Sequence, residues 1–146
     1  IPEILRLMEP WVQASQLVRR THEDLLAKLQ HLHVFEVDGA LHGCAGLIPF
    51  AGGQAEIAGL AVDQQFAELG IGRRLVEFLI DKARADGYRE LFLLTTQAFD
   101  WFRQLEFVQG EVSRLPTERR ASYDTDRSSR VMFLELKRGS TPGPSV

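Results

Sequence analysis

Apolar residues recur along this chain at spacings that predict both helices and strands. In Arg73–Ala85 they fall every three or four positions and Gly87 follows as a typical helix stop, so a helix is predicted there. Leu91–Thr95 is almost wholly apolar, as expected of a strand that is buried on both faces. The pattern therefore predicts a central helix followed directly by a buried strand.

A hairpin and several shorter elements surround this centre. Asp38 and Gly39 form a turn between two apolar runs, which predicts two antiparallel strands. Thr21 precedes acidic residues, as is typical of a helix N-cap. The predicted elements are helices at Pro2 to about Gln16, His22 to about His31 and Ala98–Gln104, strands at Val34–Val37, Leu41–Ile48, Ala55–Val62, Phe107–Val112 and Val131–Leu136, and an irregular polar segment at Arg114–Arg130. This order, without internal repeats, predicts one α/β domain.

Composition narrows the class of protein. The chain has 146 residues, 45% of them hydrophobic and 25% charged, which is enough for one domain with its own core. A net charge of -3 provides no basic field for nucleic acid. The single cysteine, Cys44, excludes an internal disulfide, and no membrane-length apolar run or signal-peptide pattern is present. We therefore expect a cytoplasmic protein that acts on a small molecule, with neither nucleic acid nor membrane as its partner.

A glycine turn connects the predicted strand at Ala55–Val62 to the central helix. It reads Leu69-Gly70-Ile71-Gly72-Arg73, and the helix begins directly after it. Backbone N–H groups in such a turn, at the N-terminus of a helix, can bind an anion such as phosphate. A plain tight turn is the alternative. A dinucleotide-binding fold is disfavoured, because the third glycine and the distal acidic residue of that fingerprint are absent.

The order of elements around this turn resembles that of the GCN5-related N-acetyltransferases over nearly the whole chain. Their phosphate turn usually reads Arg or Gln, x, x, Gly, x, Gly or Ala. Gly70-Ile71-Gly72 matches its last positions, whereas Ala67 stands where the basic or amide residue is usual. The resemblance implies an α/β fold with a mixed, mostly antiparallel central sheet flanked by helices, with the first strand of the fold missing before Pro2.

The resemblance also implies acetyl-CoA as cosubstrate. Its pyrophosphate is expected on the turn, and its pantetheine arm on the main chain of the preceding strand, which splays away from Leu91–Thr95 to open a slot for the thioester. The cofactor-binding residues implied are Leu60, Ala61, Val62, Ala67, Leu69, Gly70, Ile71, Gly72 and Arg73. The acetyltransferase domain is expected to span residues 1–137, and 138–146 to form a disordered tail.

A narrower resemblance is to the acetyltransferase domains of bacterial N-acetylglutamate synthases, which serve arginine biosynthesis. The stretches that carry it are Leu17-Val18-Arg19-Arg20-Thr21, Glu56-Ile57-Ala58-Gly59-Leu60-Ala61-Val62, Leu94-Thr95-Thr96-Gln97 with Trp101-Phe102, and Leu115-Pro116 with Arg119-Arg120, Tyr123, Arg127 and Ser129. This resemblance implies transfer of an acetyl group to the α-amine of L-glutamate. It implies substrate contacts from Arg20, Arg119, Arg127 and Ser129, whose alternative role is in surface ion pairs.

Two further residues have implied catalytic roles. Glu56 matches the glutamate proposed as the base that takes the proton from the acceptor ammonium, a step that acetyl transfer requires. Its alternative is an edge carboxylate that faces water. Thr95 matches a hydroxyl residue proposed to protonate the leaving thiolate, and its alternative is a simple β-former. Phe102 stands where many members of the superfamily have a tyrosine for that purpose.

Other candidate residues point to no further chemistry. His31 and His33 lack a third metal ligand, so no metal is expected, and Cys44 is predicted to be a core residue. The synthases usually carry an amino-acid-kinase-like domain that this sequence lacks, so a fragment, a short synthase and a relative with another amine substrate all stay open. A non-catalytic acyl-CoA-binding domain is the alternative from another class. A homo-oligomer is also expected, since this superfamily often dimerises.

Overall fold

The computed structural model of the chain describes residues 1–123 and 129–136, apart from the side chains of Ala67 and Glu68. The predicted tail at 138–146 and the predicted substrate contact Arg127 lie outside the described residues. The helices are α1 (Pro2–Gln13), α2 (His22–Ala27), α3 (Ile71–Ala85), α4 (Phe99–Gln104) and α5 (Thr117–Ala121). The strands are β1 (Leu32–Val37), β2 (Ala40–Pro49), β3 (Gln54–Val62), β4 (Glu90–Thr95), β5 (Val108–Gln109) and β6 (Arg130–Glu135).

The strands form a mixed sheet with the hydrogen-bonded order β1-β2-β3-β4-β6-β5. The pairs β1–β2, β4–β6 and β5–β6 are antiparallel, and β3–β4 is parallel. This confirms the predicted α/β class with a mixed, mostly antiparallel sheet and flanking helices. The described β3–β4 ladder joins Gln54–Glu56 to Glu90–Phe92, while β3 itself continues to Val62.

The chain divides into two compact units, called here the first and second units. The first unit comprises Ile1–Ile48 and Ile57–Leu79, and the second comprises Pro49–Glu56 and Ile80–Val146. β3 contributes its first three residues to the second unit and the rest to the first.

Local signals in the first unit form as the sequence predicts. Asp38 and Gly39 have φ values of 52° and 82°, the left-handed pair that a two-residue hairpin turn requires. Thr21 caps α2 through a reciprocal capping box with Asp24. The unit has two apolar clusters, one of Ile4, Leu7, Met8, Leu25, Cys44 and Ala61, the other of Val62, Ile71 and Leu75. Cys44 is 1% exposed, which confirms its prediction as a core residue.

The second unit corrects two predictions. The strand predicted at Phe107–Val112 is limited to Val108–Gln109, because the chain turns into a 3₁₀ helix at Val112–Arg114 soon after the Gly110 N–H bonds to the Val131 carbonyl. The segment predicted to be irregular contains α5, which starts after Pro116, a residue suited to a helix start. Phe92, Leu115, Val131 and Phe133 form the core cluster of this unit.

Candidate functional site

The glycine turn of the first unit ends one helix and starts another. A 3₁₀ helix spans Gln64–Leu69 and includes Ala67, whose side chain lies outside the described part of the structure. Gly70 follows with φ of 80°, a left-handed conformation that favours glycine. α3 then begins at Ile71, two residues before the predicted start, because the left-handed Gly70 lets the helix begin at once.

The backbone of this turn presents donors to an anion. The first α3 bond joins the Arg74 N–H to the Gly70 carbonyl at 3.0 Å. The N–H groups that precede Arg74 in α3 therefore have no acceptor within the helix, and the helix dipole favours negative charge there. The Arg73 side chain pairs instead with Glu77, at 3.1 Å. The turn can bind phosphate through its main chain.

The end of β3 lies beside this turn in sequence. Ala61 and Val62 are buried, and Leu60 packs partly buried against the cluster of Val62, Ile71 and Leu75. The Val62 carbonyl accepts a hydrogen bond of 2.9 Å from the indole of Trp11. Sequence reasoning missed this contact, whose donor and acceptor lie 51 residues apart.

An open cleft in the first unit contains the predicted substrate residue Arg20. Asp24 and Lys28 also line this cleft, as do the small residues Gly46 and Gly59. The Nε atom of Arg20 is buried and has no hydrogen-bond partner among the described residues. A buried, unpaired guanidinium nitrogen favours an anionic ligand, since leaving it unpaired costs free energy.

Two neighbours of the cleft have shifted pKa values. The Thr21 backbone N–H lowers the pKa of Asp24, and the charges of Arg20 and Lys28 lower it further. Asp24 therefore stays ionised and offsets part of the positive charge. Burial raises the pKa of the Cys44 thiol to about 12, so this lining residue is a neutral apolar wall at ordinary pH.

The second unit brings two predicted residues into direct contact. Glu56 on β3 is 7% exposed, and its Oε1 accepts a hydrogen bond of 2.9 Å from Nε of Arg119 on α5. The Nη1 of Arg119 donates to the hydroxyl of Ser122 at 2.9 Å, and that hydroxyl donates to the Arg119 carbonyl. Glu56 is therefore not an edge carboxylate that faces water, and Arg119 is not a free surface cation.

The remaining predicted residues of this unit are held by local bonds. The Thr95 hydroxyl is buried and accepts a 2.9 Å hydrogen bond from the Ala98 N–H, just before α4. Ser129 is buried, and its backbone carbonyl accepts a hydrogen bond of 2.8 Å from the Tyr123 hydroxyl. These bonds engage the Thr95 hydroxyl and the Ser129 main chain within the fold.

A second buried glutamate was not predicted. Glu90 at the start of β4 is 3% exposed and accepts hydrogen bonds from the Gln54 amide, at 3.0 Å, and from the Arg114 guanidinium. Gln54 also donates to the Arg114 carbonyl at 3.0 Å, and the Arg114 guanidinium stacks 4.0 Å from the Phe133 ring centroid. This cluster ties β3, β4 and the segment before α5 together.

Two classes of site receive no support from the described ranges, 1–123 and 129–136. They hold no group of three or more His, Cys, Asp or Glu side chains that could bind a metal ion. They also contain no helix with the length and apolar content needed to cross a membrane.

Comparison with known proteins decides the family. Residues 1–107 match the family model described as acetyltransferase (GNAT) family. The chain belongs to the GNAT family. The match includes the glycine turn, the strand before it and Glu56, so the predicted class of enzyme, an acetyl-CoA-dependent N-acetyltransferase, is confirmed at the level of the family.

Relatives of this GNAT chain carry one name repeatedly. The amino-acid acetyltransferase of Shewanella oneidensis is 36% identical over 91% of the chain, and that of Neisseria meningitidis serogroup A is 37% identical over 94%. The N-acetylglutamate synthase from Neisseria gonorrhoeae, solved with coenzyme A and N-acetyl-glutamate, superposes over 94% of the chain with a TM-score of 0.90 and 37% identity. These matches confirm the resemblance to synthase acetyltransferase domains. The chain spans 30%, 32% and 33% of these three relatives.

Proposed function

We propose that this chain transfers the acetyl group of acetyl-CoA to the α-amine of L-glutamate, the reaction of N-acetylglutamate synthases in arginine biosynthesis. The observation that carries the proposal is the 37% identical match, at a TM-score of 0.90, to a synthase solved with coenzyme A and N-acetyl-glutamate. Family membership alone supports the donor, and this match supports the acceptor.

The donor site is assigned to the first unit. The N–H groups of Leu69–Arg73 would bind the pyrophosphate of acetyl-CoA, with Gly70 allowing close approach of the backbone. The main chain of Leu60 and Ala61 would pair with the pantetheine arm. Val62 would contribute less to this pairing, because its carbonyl already accepts a hydrogen bond from the Trp11 indole.

The acceptor site is assigned to the arginines. Glutamate has two carboxylates, and charge-assisted donors with fixed geometry recognise such groups best. Arg20 supports this role through its buried and unpaired Nε. Arg119 bonds through Nε and Nη1 to Glu56 and Ser122, so we assign its Nη2 to the substrate. Arg127 and Ser129 are assigned as further contacts from the resemblance.

The chemistry is assigned to Glu56. Its carboxylate, held in place by Arg119, would take one proton from the substrate ammonium and leave a neutral amine. The amine nitrogen would then form a bond to the thioester carbonyl carbon, and collapse of the tetrahedral intermediate would break the carbon–sulfur bond. As coenzyme A leaves as a thiolate, the nitrogen loses its second proton to give the amide, and a proton reaches the thiolate through Thr95 or water. Glu56 then releases its own proton to solvent.

The proposal is tested by turnover of acetyl-CoA with glutamate, glutamine and simple amines. We expect glutamate to be acetylated and glutamine to be a poor substrate, because it lacks one carboxylate. Equal rates with glutamine or a simple amine would replace the proposal with a general amine acetyltransferase. Binding of coenzyme A without turnover of any amine would indicate an acyl-CoA-binding regulatory domain.

Adjacent arginines provide a matched pair of variants for the acceptor site. Arg20→Ala should lower kcat/KM for glutamate by at least about 30-fold, since a buried charge partner is lost. Arg19 pairs with Glu9 at 2.8 Å and its side chain is 61% exposed, so Arg19→Ala should change kcat/KM by less than about twofold. Equal effects of the two variants would remove Arg20 from the acceptor site.

A further inference from the structure

One histidine contacts the segment that leads into the glycine turn at three points. The His42 carbonyl on β2 accepts a 2.7 Å hydrogen bond from the Asp63 N–H. The Nδ1 of its ring lies 3.4 Å from Oδ2 of Asp63. The same ring meets Phe66 edge-on, with 4.7 Å between the ring centroids.

The two residues that His42 contacts set the start of the 3₁₀ helix before the turn. Asp63 is the N-cap of this helix, and the Oδ1 of Asp63 accepts a hydrogen bond of 3.1 Å from the Gln65 N–H. The Phe66 N–H donates to the Asp63 carbonyl at 2.9 Å, and its ring packs on the cluster of Val62, Ile71 and Leu75. The position of this short helix therefore determines where its last residue, Leu69, and the glycine turn lie.

Burial argues against a role for His42 as a filler of the core. Its Nδ1 is buried and has no hydrogen bond within the described residues, although the Asp63 carboxylate lies 3.4 Å away. A buried polar nitrogen of this kind costs free energy that an apolar side chain would avoid. The position of Nδ1 beside the Asp63 carboxylate is therefore the feature that an apolar side chain could not supply.

We propose that His42 is a positioning residue for the phosphate-binding turn, which it holds through Asp63 and Phe66. Backbone donors cannot move one by one, so a displaced 3₁₀ helix would misplace all the N–H groups of Leu69–Arg73 together. The inference rests on the proposed location of the pyrophosphate on that turn. It adds a residue on another strand that controls affinity for coenzyme A without touching it.

The test is the affinity for coenzyme A of two His42 variants, measured by titration calorimetry. His42→Phe keeps a ring against Phe66 but leaves the Asp63 carboxylate facing an apolar ring in place of a nitrogen, and should weaken binding by about five- to tenfold. His42→Asn keeps a donor near the position of Nδ1 and should stay within about twofold of the original affinity. The exposed His22, changed to Phe, is the matched control and should have no effect.

Steady-state kinetics separate positioning from general damage. With His42→Phe, KM for acetyl-CoA should rise while kcat at saturating acetyl-CoA and KM for glutamate stay unchanged. A parallel fall in kcat would overturn the inference, as would an unchanged affinity. If His42→Phe does not fold, Asp63→Asn keeps the cap on Gln65, removes the charge partner and should weaken binding to the same extent; an unchanged affinity there would overturn the inference.

Gly70→Val distinguishes the failure of this inference from the failure of the proposed site. A side chain at Gly70 should block the phosphate and abolish the thermal stabilisation that coenzyme A confers. Lost binding in Gly70→Val with full binding in His42→Phe would overturn the inference alone. Full binding in a folded Gly70→Val protein would place the cofactor elsewhere and overturn both.

Discussion

Glu56 and Glu90 lie on neighbouring strands of the second unit, and each pairs with an arginine from residues 114–119. Both carboxylates are almost fully buried, at 7% and 3% exposure. Glu56 accepts from Arg119, and Glu90 accepts from Arg114. The two pairs are alike in chemistry but differ in what surrounds them.

Among the described residues, Glu90 has more hydrogen-bond partners than Glu56. Glu90 also accepts from the Gln54 amide, and its partner Arg114 stacks on Phe133. Arg119, the partner of Glu56, has Ser122 as its other contact among the described residues. We infer from this difference in hydrogen-bond partners that Glu90 is structural, and the proposed catalytic role remains with Glu56.

The largest expected effect is a loss of activity, which the Glu56 variant should show and the Glu90 variant should not. Glu56→Gln should lower kcat by about 10²- to 10⁴-fold, because the amide cannot accept the proton from the ammonium. Affinity for coenzyme A should change little, and the free energy of unfolding by less than about 2 kcal/mol, because the amide oxygen still accepts from Arg119. Steady-state kinetics and thermal unfolding check this. Near-normal turnover at neutral pH would make Glu56 a structural residue like Glu90.

The next largest effect is on stability, and it concerns Glu90 instead of Glu56. Glu90→Gln should lower the free energy of unfolding by about 2–4 kcal/mol, because one of the two oxygens that accept from Gln54 and Arg114 becomes an NH2 group that faces a donor. The loss stays below that of a fully buried pair, since the Arg114 side chain is 42% exposed to water. The kcat per folded molecule should stay within about threefold of the original value. Denaturant unfolding measures the first quantity, and a hundredfold loss of kcat would contradict the assignment.

The smallest effect concerns Thr95. Like the Glu90 carboxylate, its hydroxyl accepts a hydrogen bond from within the protein. Thr95→Val removes the bond to the Ala98 N–H and should cost about 1 kcal/mol of stability, as the loss of a cap does. The kcat should fall by less than about tenfold, since thiolate is already a good leaving group and water can supply a proton. Thr95→Ser, which keeps the hydroxyl, should restore both. A larger loss of kcat in the valine variant alone would assign Thr95 as the general acid.

Local chemistry explains which parts of the fold the sequence predicts well. The hairpin at Asp38-Gly39 and the Thr21 cap depend on neighbours in sequence and form as expected. The central helix also forms, although it begins two residues earlier than predicted. The helix α5 was missed because its five residues, four of them polar, are too few to show an apolar period. The strand β5 was predicted too long because the chain turns into a 3₁₀ helix at Val112–Arg114, inside the predicted strand.

In the candidate site too, features formed by neighbours in sequence were predicted and contacts between distant residues were not. The glycine turn to which we assign the phosphate is contiguous in sequence, so its glycines were enough to predict it. The contact of Glu56 with Arg119 joins residues 63 apart, so only the family resemblance could place both in one site. Glu90 escaped notice because the apolar run begins one residue later, at Leu91, and its partner Arg114 is 24 residues away.

The pH dependence of the Glu56→Gln defect tests the assignment of Glu56 as the base most directly. A base is needed only while the acceptor is an ammonium, so its loss matters less as pH rises and more amine is free. The ratio of kcat for the original protein to that for Glu56→Gln, with glutamate at saturating acetyl-CoA, should therefore fall steadily as pH rises. A ratio that stays constant across the range, or that is near one at neutral pH, would contradict the role of Glu56 in proton transfer.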